Sequence, residues 1–258
     1  MHPPAIASSF ALLAIGSALL GMTAAAGGAS DPDTGRFVYH DLQVGAETHR
    51  YATWLPPGHA SRRDWPAIVF LHGSGECGTD GERPTHVGFG PALLANPKRW
   101  PFVVVFPQKP IEDEEWEERE PLVLATLDDA VKRWGIDPKH VALAGMSQGG
   151  HGTWFIGARH PERWACLVPI CGYGRARSIQ RRAMRLPVWA FHGLRDDVVD
   201  PGDTRRIVAG LRFERGAHGL DPEAVHMTLF PEANHDAWDP AFAHDSLNVW
   251  LKERLGVK

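Results

Sequence analysis

Short runs in which nearly every residue is apolar recur along the chain, separated by longer stretches with apolar positions three or four apart. Ala67 to Leu71, Phe102 to Phe106, His140 to Ala144, Cys166 to Cys171, Pro187 to Phe191 and His226 to Phe230 are the short runs. Continuously apolar segments of that length predict strands buried on both faces. Phe37 to Val44 instead alternates, and His49 to Leu55 follows a Gly45-Ala46-Glu47 turn, so these two predict an antiparallel pair at a sheet edge. Leu122 to Trp134 carries an apolar stripe at Leu122, Ala125, Leu127, Ala130, Val131 and Trp134, and Gly135 closes it as a helix stop. His151 to Arg159 predicts a helix ending before Pro161, and helical patterns also cover Asp203 to Arg215 and Ala243 to Leu255. Strands alternating with helices predict an α/β fold, a mostly parallel, doubly wound sheet with helices on both faces. Sites in such sheets form at the carboxyl ends of the strands.

Length and charge narrow this picture. The chain has 258 residues, enough for one α/β domain, and neither a repeat nor a linker interrupts 36–258. A net charge of −4 gives no reason to expect nucleic acid as a general partner. No Lys, Arg, Asp or Glu precedes Asp31, and an apolar stretch from Phe10 to Met22 runs into small residues up to Ala29. Residues 1–29 are therefore expected to be a signal peptide, cleaved after Ala26 or Ala29, although its start lacks Lys and Arg. The secreted or periplasmic compartment follows from it. The run is short for a membrane span, so no stable membrane span is expected. Cys77, Cys166 and Cys171 are an odd number, and an extended strand would hold the last two about 16 Å apart, so free, buried thiols are expected.

The candidate chemistry sits just after the predicted strands. Gly145-Met146-Ser147-Gln148-Gly149 joins the His140 strand to the following helix, the context of a G-x-S-x-G nucleophile elbow. A serine hydroxyl is a weak nucleophile and needs an exposed position beside a base. The Gln148 N–H, at the helix start, points toward a carbonyl under attack. His72-Gly73-Ser74-Gly75-Glu76 follows the Ala67 strand, and its backbone can give a second oxyanion donor at Ser74. His72 itself reads as a packed structural histidine. Asp196, with Asp197 as runner-up, follows the Trp189 strand as the candidate acid. His235 follows the last strand as the candidate base among 14 histidines. The order Ser147, Asp196, His235 is that of the α/β-hydrolase fold.

The chain resembles bacterial α/β-hydrolases of the phospholipase/carboxylesterase and "predicted peptidase" group, related to feruloyl and polyhydroxybutyrate esterase-like enzymes. The resembling segments include Leu71 to Glu76, Phe106-Pro107-Gln108, Ile136 to Gly172, His192 to Val199 and His235 to Trp238. The resemblance implies Ser147 as nucleophile, Asp196 as acid, His235 as base, oxyanion donors at Ser74 and Gln148, and no cofactor. Cys77 departs from it, standing where relatives often carry arginine. The acidic run Glu112 to Glu118 is expected near the site mouth, with Trp116, like Trp238, a candidate substrate contact. Arg175 to Arg185 forms a basic stretch that reads foremost as a solvated helix face. No H-E-x-x-H, Cys-x-x-Cys or P-loop pattern occurs, so neither a metal nor a nucleotide is expected. The expected function is a serine hydrolase cleaving a small-molecule or polysaccharide-linked carboxylic ester. A serine peptidase of the same fold and an inactive, binding-only hydrolase fold are the alternatives. Nothing in the sequence sets the oligomeric state.

Overall fold

The computed structural model describes residues 34–257, so the expected signal peptide at 1–29 lies outside the described residues. The strands are β1 (Arg36–Val44), β2 (Glu47–Leu55), β3 (Trp65–Leu71), β4 (Val103–Phe106), β5 (Ile136–Met146), β6 (Cys166–Ile170), β7 (Val188–Gly193) and β8 (Val225–Phe230). They form one eight-stranded sheet in the order β1-β2-β4-β3-β5-β6-β7-β8. Only the β1–β2 and β2–β4 pairs are antiparallel. From β4 to the β8 edge every pair is parallel.

The helices are α1 (Phe89–Ala95), α2 (Glu120–Trp134), α3 (Gln148–Arg159), α4 (Ala176–Ala183), α5 (Pro201–Ala217), α6 (Trp238–Ala243) and α7 (Asp245–Arg254). The pleat assigns each strand residue to a face. Ala67, Val69, Leu71, Val103 and Val105 face one core with Leu127 of α2, Trp154 of α3, Ile179 of α4 and Leu211 of α5. Ile68, Phe70, Val104 and Phe106 face the other, with Phe89 of α1, Phe242 of α6 and Trp250 of α7. The runs are apolar at every position because both faces are covered. Four tryptophans, Trp54, Trp100, Trp116 and Trp154, are wholly buried.

Three differences from the sequence expectations concern the ends of elements. The Ala243–Leu255 pattern divides at His244, whose extended backbone (φ −66°, ψ 117°) separates α6 from α7. α5 starts two residues earlier than its apolar pattern, because the Asp200 carboxylate accepts from Gly202 N and Pro201 opens the helix. The edge hairpin turns on Gly45 and Ala46, with Gly45 at φ 60°, and Glu47 already belongs to β2. All three cysteines are free and buried. No helix among the described residues is long and apolar enough to cross a membrane.

Candidate active site

β5 ends at Met146 and α3 begins at Gln148, which leaves Ser147 alone to make the turn. Its backbone sits at φ 55°, ψ −119°, a strained conformation for a residue with a side chain. Neighbours fix it there: Ser147 N donates to Ile170 O at 2.9 Å, and Ser147 O accepts from His151 N at 3.0 Å. Glycines admit the close approach. A Cβ on Gly145 would lie 2.3 Å from Gly149 O, and one on Gly149 would lie 2.0 Å from Leu71 O. α3 thus docks against the end of β3, and the Ser147 hydroxyl stands at the carboxyl edge of the sheet.

Loops after β7 and β8 bring two more side chains to that hydroxyl. His235 Nε2 lies 2.8 Å from Ser147 Oγ, and His235 Nδ1 lies 2.8 Å from Asp196 Oδ2. Asp196 can only accept when ionised, so Nδ1 carries the proton and Nε2 is free to accept from the hydroxyl. The Asp196 side chain is fully buried. Burial pushes its carboxyl upward, but the amides of Val199 (2.8 Å) and Val198 (3.0 Å), together with His235, hold it below the usual carboxylate value. Asp196 rather than Asp197 reaches the base. Asp197 is exposed, and among the described residues only its backbone is engaged, donating to Asn234 Oδ1.

A second imidazole touches the same carboxylate. His192, wholly buried on β7, has Nε2 3.1 Å from Asp196 Oδ2 and 3.1 Å from Val199 O. Both partners accept, so Nε2 bears the proton, and burial keeps the ring below its ordinary pKa and neutral. Two donors therefore meet on one oxygen, and both hold the carboxylate in place. The sequence reading passed over His192. Its signal was the buried position at the end of β7, four residues before Asp196.

Ser74 and Gln148 flank the hydroxyl. Gln148 is the first residue of α3, where an N–H has no acceptor within the helix. Ser74 opens a single 3-10 turn, Ser74–Glu76, after β3. A Cβ on the adjoining Gly73 would lie 3.5 Å from Ser147 Cβ. Ser74, Ser147 and Gln148 line one cleft of 610 Å³ with Tyr173, Val198 and Val199. His72 stays out of it. It is buried, its Nδ1 lies 2.6 Å from Gly73 O, its Nε2 accepts from Lys109 N, and burial lowers its pKa to about 3.

The acidic run reaches this cleft. Glu112, Asp113 and Glu115 line it from one side, Asp200 and Asp203 from the other. The buried Lys109 holds the run, donating from Nζ to Ile111 O at 2.6 Å and Glu112 O at 3.2 Å, with Cys77 Sγ also at 3.2 Å. Gln148 Nε2 donates to Glu112 O, and Tyr173 OH donates to Glu115 at 2.7 Å. His151 stacks on Tyr173 and reaches Glu117 at 3.0 Å. Cys77 is thus one contact of the buried ammonium that orders this loop.

Of the two tryptophans expected to touch substrate, Trp116 is placed otherwise. Trp116 is wholly buried, donates from Nε1 to His72 O at 3.0 Å, and lies where a Cβ on Gly152 would come within 2.6 Å of it. It anchors the acidic loop from below, because its large apolar ring finds a place in the core between β3 and α3. Trp238 is half-buried at the start of α6, with its ring edge-to-face against His235 at 5.5 Å. It thus packs on the imidazole that touches Ser147. One group of three metal-ligand types occurs among the described residues, Cys171, His192 and Asp196, with their atoms within 4.8 Å of one another. Its donors are already committed: burial pushes the Cys171 thiol up to about 12, and both Asp196 oxygens carry hydrogen bonds.

No family model matches the chain. Acyl-protein thioesterase 1 homolog 2 of Dictyostelium discoideum is 30% identical over 83 residues, 31% of this chain and 37% of that protein. Among solved structures, a thermostable esterase superposes with a TM-score of 0.72 at 28% identity, covering 84% of this chain and 62% of its own. A ferulic acid esterase gives 0.61 at 17% identity over 87% and 99% of the two chains. The feruloyl esterase module of Clostridium thermocellum, as an S954A mutant with sinapinate, gives 0.64 at 16% identity over 85% and 88%. The chain spans under two thirds of the thioesterase homologue and of the thermostable esterase. Its fold is the α/β-hydrolase fold, and it is similar to carboxylesterases.

Proposed function

We propose that the chain hydrolyses a carboxylic ester through an acyl-enzyme formed on Ser147. One observation carries this reading: His235 bridges Ser147 and Asp196 with a 2.8 Å contact on each ring nitrogen. In that arrangement His235 Nε2 takes the hydroxyl proton as Oγ adds to the ester carbonyl. The N–H groups of Gln148 and Ser74 receive the developing oxyanion. Collapse of the tetrahedral species breaks the C–O bond to the alcohol, which leaves with the proton from His235. Water then adds to the acyl carbon and gives a proton to the same nitrogen; the bond from that carbon to Ser147 Oγ breaks, Oγ takes the proton back from His235, and the acid leaves. Asp196 holds the tautomer that makes each transfer possible and stabilises the imidazolium formed between them.

The substrate class we propose is a small-molecule or polysaccharide-linked ester. Export of the protein, expected from residues 1–29, belongs to the same reading and is checked by sequencing the amino terminus of the mature protein. A fluorophosphonate should add one label at Ser147 and none to Ser147→Ala, with parallel loss of turnover on a panel of aryl and alkyl esters. Labelling retained in Ser147→Ala, or turnover of anilides but not esters, would overturn the proposal.

A further inference from the structure

A second cleft, of 600 Å³, runs along the C-terminal half of α3 and the outer side of α4. Phe155 and Arg159 of α3 and Arg177, Ser178, Arg181 and Arg182 of α4 line it, and no carboxylate does. Ser147 and Arg159 stand at opposite ends of α3, about 18 Å apart along its axis, so this is not the cleft of the nucleophile.

Several arginines elsewhere have carboxylate partners. Arg119 pairs with Glu114 and Glu47, Arg133 with Asp129, Arg163 with Asp128, and Arg206 with Asp203. Of the four in the cleft, only Arg159 has such a partner, Glu120 at 3.1 Å. Arg177, Arg181 and Arg182 are exposed, and their side chains enter none of the ion pairs or hydrogen bonds among the described residues. The stretch 175–185 holds five arginines and no acid, in a chain of net charge −4. Arg181 and Arg182 lie in the last turn of α4, where the helix dipole favours cations, but Arg177 does not. The helix joins the core through Ile179 and Ala183. Arg177 sits in its first turn, at the positive end of the helix dipole, and Arg177 and Arg181 face each other at i, i+4, a repulsive pair.

Several unpaired guanidinium forks around one concavity match a ligand with several anionic groups, since each fork takes a carboxylate in two parallel hydrogen bonds. The volume falls in the range that encloses a small ligand. Phe155, half-buried at one wall, adds apolar surface against which a pyranose can pack. A flat membrane surface would leave this hollow unfilled. We infer that the cleft binds an oligosaccharide bearing carboxylate groups, a short uronic-acid oligomer.

Calorimetric titration of the full chain with tetragalacturonate tests this at about 50 mM salt, with a neutral tetrasaccharide and anionic phosphatidylglycerol vesicles as further arms. Saturable one-to-one binding of the uronate alone is expected, weakening steeply toward about 200 mM salt. Arg177→Gln/Arg181→Gln/Arg182→Gln should lose about tenfold or more in affinity, while Lys98→Gln, on the other side of the sheet, should lose nothing. These exposed changes leave the core intact, which circular dichroism verifies. The inference is overturned by absence of uronate binding, by equal binding of the neutral sugar, by unchanged affinity in the triple variant, or by binding of the vesicles without the oligomer.

Discussion

The two clefts have nearly the same volume, 610 and 600 Å³, and opposite linings. Five carboxylates border the cleft of Ser147, and four guanidinium groups border the cleft of α4. The manner of construction differs more than the sign. In the first, loops from five strand ends converge, and the groups nearest Ser147 are held by neighbours: Asp196 by two amides and two imidazoles, Glu115 by Tyr173, Gln148 by Glu112 O. In the second, one short helix supplies most of the charge, and three of the four charges have no ion pair or side-chain hydrogen bond among the described residues. A held charge has its geometry settled before any ligand arrives, as bond making requires. An unheld charge on a long side chain adapts to a ligand, which suits binding.

The largest expected effect separates the clefts completely. Asp196→Asn should lower kcat on an ester by about 10³–10⁴, since the wrong tautomer of His235 is then favoured. Uronate binding at α4 should be unchanged. Asp197→Asn, at an exposed side chain, should cost roughly tenfold or less. Steady-state kinetics of the two variants decides between the neighbours, and an active Asp196→Asn with a crippled Asp197→Asn would reverse the assignment. A stability signature accompanies it. Asp196 has a folded pKa below its unfolded value, so its carboxylate stabilises the fold above the unfolded value, and that contribution is lost as pH falls through the folded one. The unfolding midpoints of wild type and Asp196→Asn should therefore differ at neutral pH and converge in acid.

Both clefts were partly legible in the sequence, for different reasons. All eight strands could be read because two-sided burial makes them apolar throughout or, at the edge, alternating. The positions of Ser147, Asp196 and His235 followed, since each comes directly after a strand. Contacts between loops were not legible, because no periodicity records them. Lys109 belongs to no sequence motif, yet it is buried under the acidic run. His192 reads as one of many histidines and lies against Asp196. Trp116 sits in an acidic, loop-like stretch, yet the core takes the ring while the flanking carboxylates stay outside. The short helices α1 and α6 have too few turns to show a stripe. The arginine stretch was visible as a charged helix face, but the concavity it forms with α3 exists only in three dimensions.

A smaller effect sharpens the contrast from the acidic side. Glu112 and Asp113 are exposed at the cleft of Ser147, and no cation is paired with either carboxylate among the described residues. An anionic ester entering there meets two charges at roughly 8 Å, together worth about 1 kcal/mol in water. Glu112→Gln/Asp113→Asn should thus raise kcat/KM for an anionic ester by about five- to tenfold relative to a neutral ester of the same size. The difference should shrink as salt is added. Equal ratios in variant and wild type would mean that the carboxylates do not face the entering substrate.

The smallest effect is the most telling about α4, because it should improve the fold while damaging the cleft. Arg177 occupies the second position of α4, where the exposed N–H groups make the helix end positive. Four residues on, Arg181 repels it. Arg177→Glu reverses both terms: the carboxylate meets the positive helix end, and Glu four residues before Arg is the favourable order for an ion pair. Each term is a few tenths of a kcal/mol at an exposed site, so a gain of about 0.5–1 kcal/mol is expected. For a chain of this size that raises Tm by about 1–4 °C, which scanning calorimetry resolves. The same substitution places a carboxylate among the cleft's guanidinium groups and should remove uronate binding. A variant that is both more stable and unable to bind would show that Arg177 is held at a cost to α4 for the sake of a ligand. A variant with unchanged Tm and full affinity would show instead that its guanidinium extends into solvent, away from both the helix end and the cleft.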